Sequence, residues 1–70
     1  MSQSVRWLIA KKVTLLRKKM KLNREELSLK LGVDNSYISK LEHEKINITI
    51  DKLEKLAEIL NIPVKNFFED

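Results

Sequence analysis

The sequence predicts a compact, all-α domain of five short helices. Two observations carry this expectation. Apolar residues recur at helical spacing between well-marked start and stop residues. The chain also holds one glycine and one proline, too few for strands and turns in series. Seventy residues make a single domain, residues 1–70 with a core over about 9–68, and leave little room for a deep substrate cavity.

In the first helix Ile9, Val13, Leu16 and Met20 repeat at one face of a 3.6-residue period, with Lys11 and Lys18 opposite. Ser2 and Ser4 are both candidates for its N-cap. Asn23 caps the second helix, and Glu26 three residues on completes a capping-box pattern. Leu27 and Leu31 face inward. Gly32 follows, where a left-handed C-terminal residue costs least. Asp34 is the expected N-cap of a third helix over 35–42, whose inward residues are Ile38 and Leu41. The stretch His43 to Ile48 reads as a loop. Thr49 caps a fourth helix with Asp51 in its first turn and Leu53, Leu56, Ala57 and Leu60 as its apolar stripe. Asn61 offers a left-handed exit, and Pro63 suits the start of a short fifth helix that buries Val64, Phe67 and Phe68.

Charge narrows the function. Residues 1–21 carry seven basic residues and no acid, whereas the remainder holds seven basic residues and all ten acids. A net charge of +4 with a basic end suits a polyanionic partner. Cysteine is absent and histidine occurs once, as His43, so no disulfide, thiolate or zinc site is expected, nor any other metal or cofactor. His43 reads as a surface residue. No nucleophile–base pair or paired carboxylates can be defended, so no catalytic residue and no enzyme is expected. No apolar run approaches the length of a membrane span, and no signal core is visible. The expectation is a cytoplasmic protein without membrane or small-molecule partners.

The informative stretch is Asn23 to Glu42, a capped helix, a turn centred on one glycine and a second short helix. Two short helices joined this tightly cross steeply, the helix-turn-helix arrangement. Its second helix can enter a major groove about 12 Å wide while the first crosses the backbone. The run Leu22 to Glu42 resembles the helix-turn-helix of the Cro/cI repressor (XRE) family. The likeness continues through Leu53 to Pro63 and reaches back to Val13 and Leu16-Arg17. Tyr37-Ile38-Ser39 with Asn47-Ile48-Thr49-Ile50 further resembles the controller proteins of restriction–modification systems.

The resemblance implies a lambda-repressor-like fold and a transcriptional regulator of double-stranded DNA, acting as a homodimer on an inverted-repeat operator. It assigns base reading to Asn35, Ser36, Ser39 and Lys40, whose amide, hydroxyl and ammonium groups match base-edge donors and acceptors. It assigns a phosphate contact to Arg24. Asn23 can donate to phosphate or serve as a cap alone, and Tyr37 can contact a phosphate or a thymine methyl or pack against the turn. Lys45 and Asn47 are the remaining phosphate candidates in the loop. Arg24 stands where relatives most often carry glutamine, and a cation in a first helical turn opposes the macrodipole. Arg17 and Glu42 match positions that pair as an ion bridge in relatives. The loop departs from the pattern: Glu44 and Ile48 replace a glycine and a proline. Glu44 must then adopt a left-handed conformation or let the helix end differently. Trp7, Leu8 and Leu15 at one end, and Val64, Phe67 and Phe68 at the other, are alternative dimer faces. A second reading of the same fold is a protein-interaction module, such as the antitoxin of a toxin–antitoxin pair.

Overall fold

The computed structural model describes residues 4–69 and contains four α-helices and one closing 3-10 helix. The helices are α1 (Val5–Lys19), α2 (Arg24–Leu31), α3 (Tyr37–Glu42) and α4 (Ile50–Leu60), followed by the 3-10 helix Val64–Phe68. No strand occurs among the described residues. The all-α expectation holds, and the fifth element differs only in being 3-10, the tighter geometry usual for a short terminal turn.

The caps explain most boundaries. The Ser4 hydroxyl accepts the Trp7 amide at 3.1 Å and starts α1; the other candidate cap, Ser2, lies outside the described residues. Asn23 and Glu26 form the reciprocal capping box, at 2.7 and 2.8 Å. Thr49 accepts the Lys52 amide at 3.2 Å, and Asn61 leaves α4 in the left-handed conformation.

Packing corrects the expected stripe of α1. Its buried residues are Ile9, Ala10, Val13 and Arg17, with Leu16 partly buried against the core. Met20 is 44% exposed, because α1 stops at Lys19 and Met20 serves as its C-cap. Lys21 then turns left-handed at φ 59°, taking the chain away before Met20 can reach the interior. Arg17 occupies the inward place that the apolar pattern assigned to the next turn.

The fully buried Val13, Leu27, Ile38, Leu56 and Phe67 bring α1, α2, α3, α4 and the closing helix into one core. Phe67 is therefore core, and Val64 packs against it; of the expected C-terminal dimer set only Phe68 stays exposed. α1 lies against α3 and the closing helix, and α2 lies against α3 and α4. The six-residue α3 is too short to persist alone and is held in place by this packing. No helix among the described residues is long and apolar enough to cross a membrane.

Candidate nucleic-acid interface

The turn into α3 is built by three residues with separate tasks. Gly32 takes φ 80°, and its amide donates to the Ser28 and Leu29 carbonyls, closing α2. The Asp34 carbonyl accepts the Tyr37 amide at 3.0 Å, and the Asp34 carboxylate accepts the Ser36 hydroxyl. That hydroxyl, together with Lys40 and the amides of Asn35 and Ser36, holds the Asp34 carboxyl below its ordinary value.

Asn35 and Ser36 thus belong to a turn, and α3 begins at Tyr37 rather than at the expected residue 35. The reason is local: with its carboxylate held by the turn, Asp34 is not the cap, and Ser36 stands at the N-cap position without a side-chain capping bond. The deeper amide of α3's first turn is satisfied from elsewhere. Ser28 is fully buried, and its hydroxyl accepts the Ile38 amide at 3.1 Å, fixing the start of α3 to α2. Ser28 carries no local signal in the sequence, because a serine within a helix gives no sign of a partner ten residues away.

The far end of α3 is fixed by charge. Arg17 Nε donates to Glu42 Oε2 at 2.7 Å and Nη2 to Oε1 at 3.3 Å, while Nη1 donates to the Leu22 carbonyl at 2.9 Å. Arg24 Nε donates to the same Oε1 at 2.9 Å. One carboxylate therefore ties α1, α2 and α3 together. The Glu42 side chain is 3% exposed and that of Arg17 is 9% exposed, whereas Arg24 is 46% exposed. Burial pushes the Glu42 carboxyl up, but the bonds and charges of Arg17 and Arg24 outweigh it and hold it below its ordinary value. The Arg24–Glu42 bond also answers why a cation tolerates the first turn of α2. A carboxylate, besides any outside anion, offsets the macrodipole there.

Five of the nine DNA-contact candidates share one surface. Arg17, Asn23, Arg24, Glu25, Asn35, Ser36 and Ser39 line a shallow groove between the starts of α2 and α3, and Asn47 lines a different recess. Lys40 is exposed on α3, one residue beyond Ser39. Asn23 spends its Oδ1 on the cap, which leaves its amide nitrogen as an outward donor. Tyr37 is half-buried, and burial raises its hydroxyl above the ordinary phenol value, so it stays protonated.

The exit loop is less tightly held. Glu44 takes the left-handed conformation at φ 60°, the first of the two alternatives its sequence position allowed. Ile46 and Ile48 pack against the core, while Lys45 and Asn47 face solvent. Asn47 accepts a hydrogen bond from Arg6 Nε at 2.7 Å, linking the loop to the start of α1. His43 is exposed, with Nδ1 2.7 Å from the Ser39 carbonyl.

Comparison with known proteins places this geometry. Residues 14–67 match the helix-turn-helix family HTH_3. An uncharacterized HTH-type transcriptional regulator of Sinorhizobium medicae is 31% identical over 62 residues, covering 89% of this chain. The chain spans only 45% of that regulator's length. The control protein C.BamHI of Bacillus amyloliquefaciens is 27% identical over 70 residues, covering 99% of this chain and 86% of its own. Among solved structures, the biofilm master regulator SinR in complex with DNA superposes with a TM-score of 0.79 at 31% identity, covering 87% of this chain and 98% of that one. The chain belongs to the helix-turn-helix family.

Proposed function

We propose that this helix-turn-helix chain is a sequence-specific regulator of transcription that inserts α3 and its preceding turn into the major groove of double-stranded DNA. The observation that carries the reading is the groove between α2 and α3. Phosphate-type donors (Asn23, Arg24) and base-type groups (Asn35, Ser36, Ser39) line it together, and a buried carboxylate fixes the angle between the two helices. Its likeness to SinR, solved with DNA, supports the same partner.

In this reading Asn35, Ser36, Ser39 and Lys40 read base edges. The free Asn23 amide, the outer nitrogens of Arg24, the Tyr37 hydroxyl, Lys45 and Asn47 contact phosphate. Two copies act on an inverted repeat, with half-sites about one helical turn, ~34 Å, apart. Leu15 and Phe68, at 55% and 44% exposed, are the apolar residues of the two expected faces left for a partner copy. The similarity to a control protein along nearly the whole chain favours a restriction–modification controller. The reading requires no catalysis and no cofactor.

Binding measurements on two variants test the division of roles. Lys40→Ala relaxes preference at one base position, whereas Arg24→Ala weakens all sequences alike and lowers the salt dependence by about one unit of slope. Uniform loss in both variants contradicts the base-reading role of Lys40.

A further inference from the structure

Seven basic residues lie in 1–21, yet only two of them make a polar contact with α3 or the loop that follows it. Arg6 and Arg17 stand about three helical turns and ~16 Å apart along α1, close to the same angle on the helix. That angle is the buried stripe through Ile9 and Val13. Arg17 grips Glu42 at the end of α3, and Arg6 grips Asn47 in the loop beyond it. One line of α1 therefore runs along the exit of the recognition helix, anchoring it at both points.

The chemistry of the outer anchor is directional. Arginine has only donors, so the Asn47 oxygen must face Arg6 and the amide nitrogen must face away. Asn47 then offers two N–H groups to solvent and no uncommitted acceptor lobe on its Arg6 side. The Arg6 guanidinium uses Nε for this bond, and its terminal nitrogens, on an exposed side chain, have no partner among the described residues. The pair is a small cluster of donors and positive charge, two residues from the exposed Lys45 in sequence, and it lines a recess that shares no residue with the groove lined by Asn23 and Arg24. Glu44 lines the same recess and lowers the local potential, which makes a second cation there more consequential.

We propose that Arg6 and Asn47 form a second phosphate clamp, in which Arg6 binds a DNA phosphate and also orients the Asn47 amide toward it. This rests on the DNA-binding reading above. It extends the phosphate contacts to the start of α1, giving the interface a second cluster of donors separate from the Asn23–Arg24 groove.

Salt titration of DNA affinity with the full chain tests the clamp, using a selected operator and a random duplex of equal length. Arg6→Ala should weaken both duplexes by the same factor and reduce the slope of log affinity against log salt by about 1. Asn47→Ala should weaken both with the slope unchanged, since no charge is lost. In the Arg6→Ala background Asn47→Ala should have little further effect, because the amide is no longer held. Arg6→Lys should restore the slope while leaving part of the affinity loss. An Arg6→Ala slope equal to that of the wild type overturns the clamp, as do independent, multiplying losses at the two positions. If the wild type binds neither duplex at low salt, the DNA-binding reading fails and the clamp with it; if the wild type binds and only Arg6→Ala is silent, the clamp alone fails.

Discussion

The two ends of α3 are held by opposite means. At its entry each residue prefers the conformation it adopts. Gly32 takes a positive φ without a Cβ to oppose it, and Asp34 folds onto its own turn. At its exit the chain is imposed upon. Glu44 sits at φ 60° with a full side chain, a conformation that costs an L-residue roughly 1–2 kcal/mol. Packing of Ile46 and Ile48 and the distant partners Arg17 and Arg6 hold it there. Local preference thus shapes the turn into the recognition helix, while tertiary contacts brace its start and set where it points.

Substitutions at the two ends of α3 separate these means. The largest effect belongs to the exit. Glu42→Ala leaves the buried Arg17 without its partner and should cost about 3–5 kcal/mol. That approaches the whole stability of a domain of this size, roughly 4–10 kcal/mol. Urea denaturation should show a protein barely folded at room temperature; a midpoint within experimental scatter of the wild type would remove Glu42 from its central place.

The same carboxylate gives a pH signature. Its folded pKa lies below the ordinary 4.5, so its stabilisation is complete above that value and is lost as pH falls through the depressed folded pKa. The stability gap between wild type and Glu42→Gln should therefore be constant near neutrality and close in acid. Parallel acid curves for the two proteins would contradict this.

Next in size is the buried bond joining α2 to the start of α3. Ser28→Ala strands the Ile38 amide in the core and should cost about 1–3 kcal/mol, read as a fall in the denaturation midpoint. Ser28→Cys, which keeps the volume but not a strong acceptor, should lose nearly as much. Recovery with cysteine would mean that packing, not the hydrogen bond, matters.

The last pair exchanges the two left-handed positions. A Cβ at Gly32 would meet only the Lys55 ammonium at an ordinary 3.5 Å, so Gly32→Ala should lose about 1 kcal/mol from backbone strain alone. Glu44→Gly should gain up to about 1 kcal/mol by removing the same strain, and should also strengthen DNA binding by removing a negative charge. Thermal melts of both variants decide it: opposite shifts support the contrast, and a destabilised Glu44→Gly would show that the exit loop is held by the Glu44 side chain after all.

What could be read from sequence follows the same divide. Gly32, Asn23, Thr49 and Asn61 were legible because a cap or a left-handed turn is decided within about four residues. The apolar faces of α2 and α4 were legible because their periods are unbroken. Met20 misled because the period runs one residue past Lys19, where α1 ends and Lys21 then turns the chain. Asp34 misled because a good capping residue can equally close a turn on itself. Ser28, the Arg24 bond to Glu42 and the Arg6 bond to Asn47 were not legible, since their partners lie 10, 18 and 41 residues away and no local pattern marks them. The candidate site itself was visible as a set of polar residues; its bracing was not.

Selection of duplexes from a random library at moderate salt, followed by affinity measurement on the enriched sequence and on bulk DNA, decides whether this chain reads DNA sequence. Enrichment of an inverted repeat is expected, with half-sites about one helical turn apart, bound at least about 10³-fold more tightly than bulk DNA. Equal affinity for enriched and bulk duplexes would contradict it.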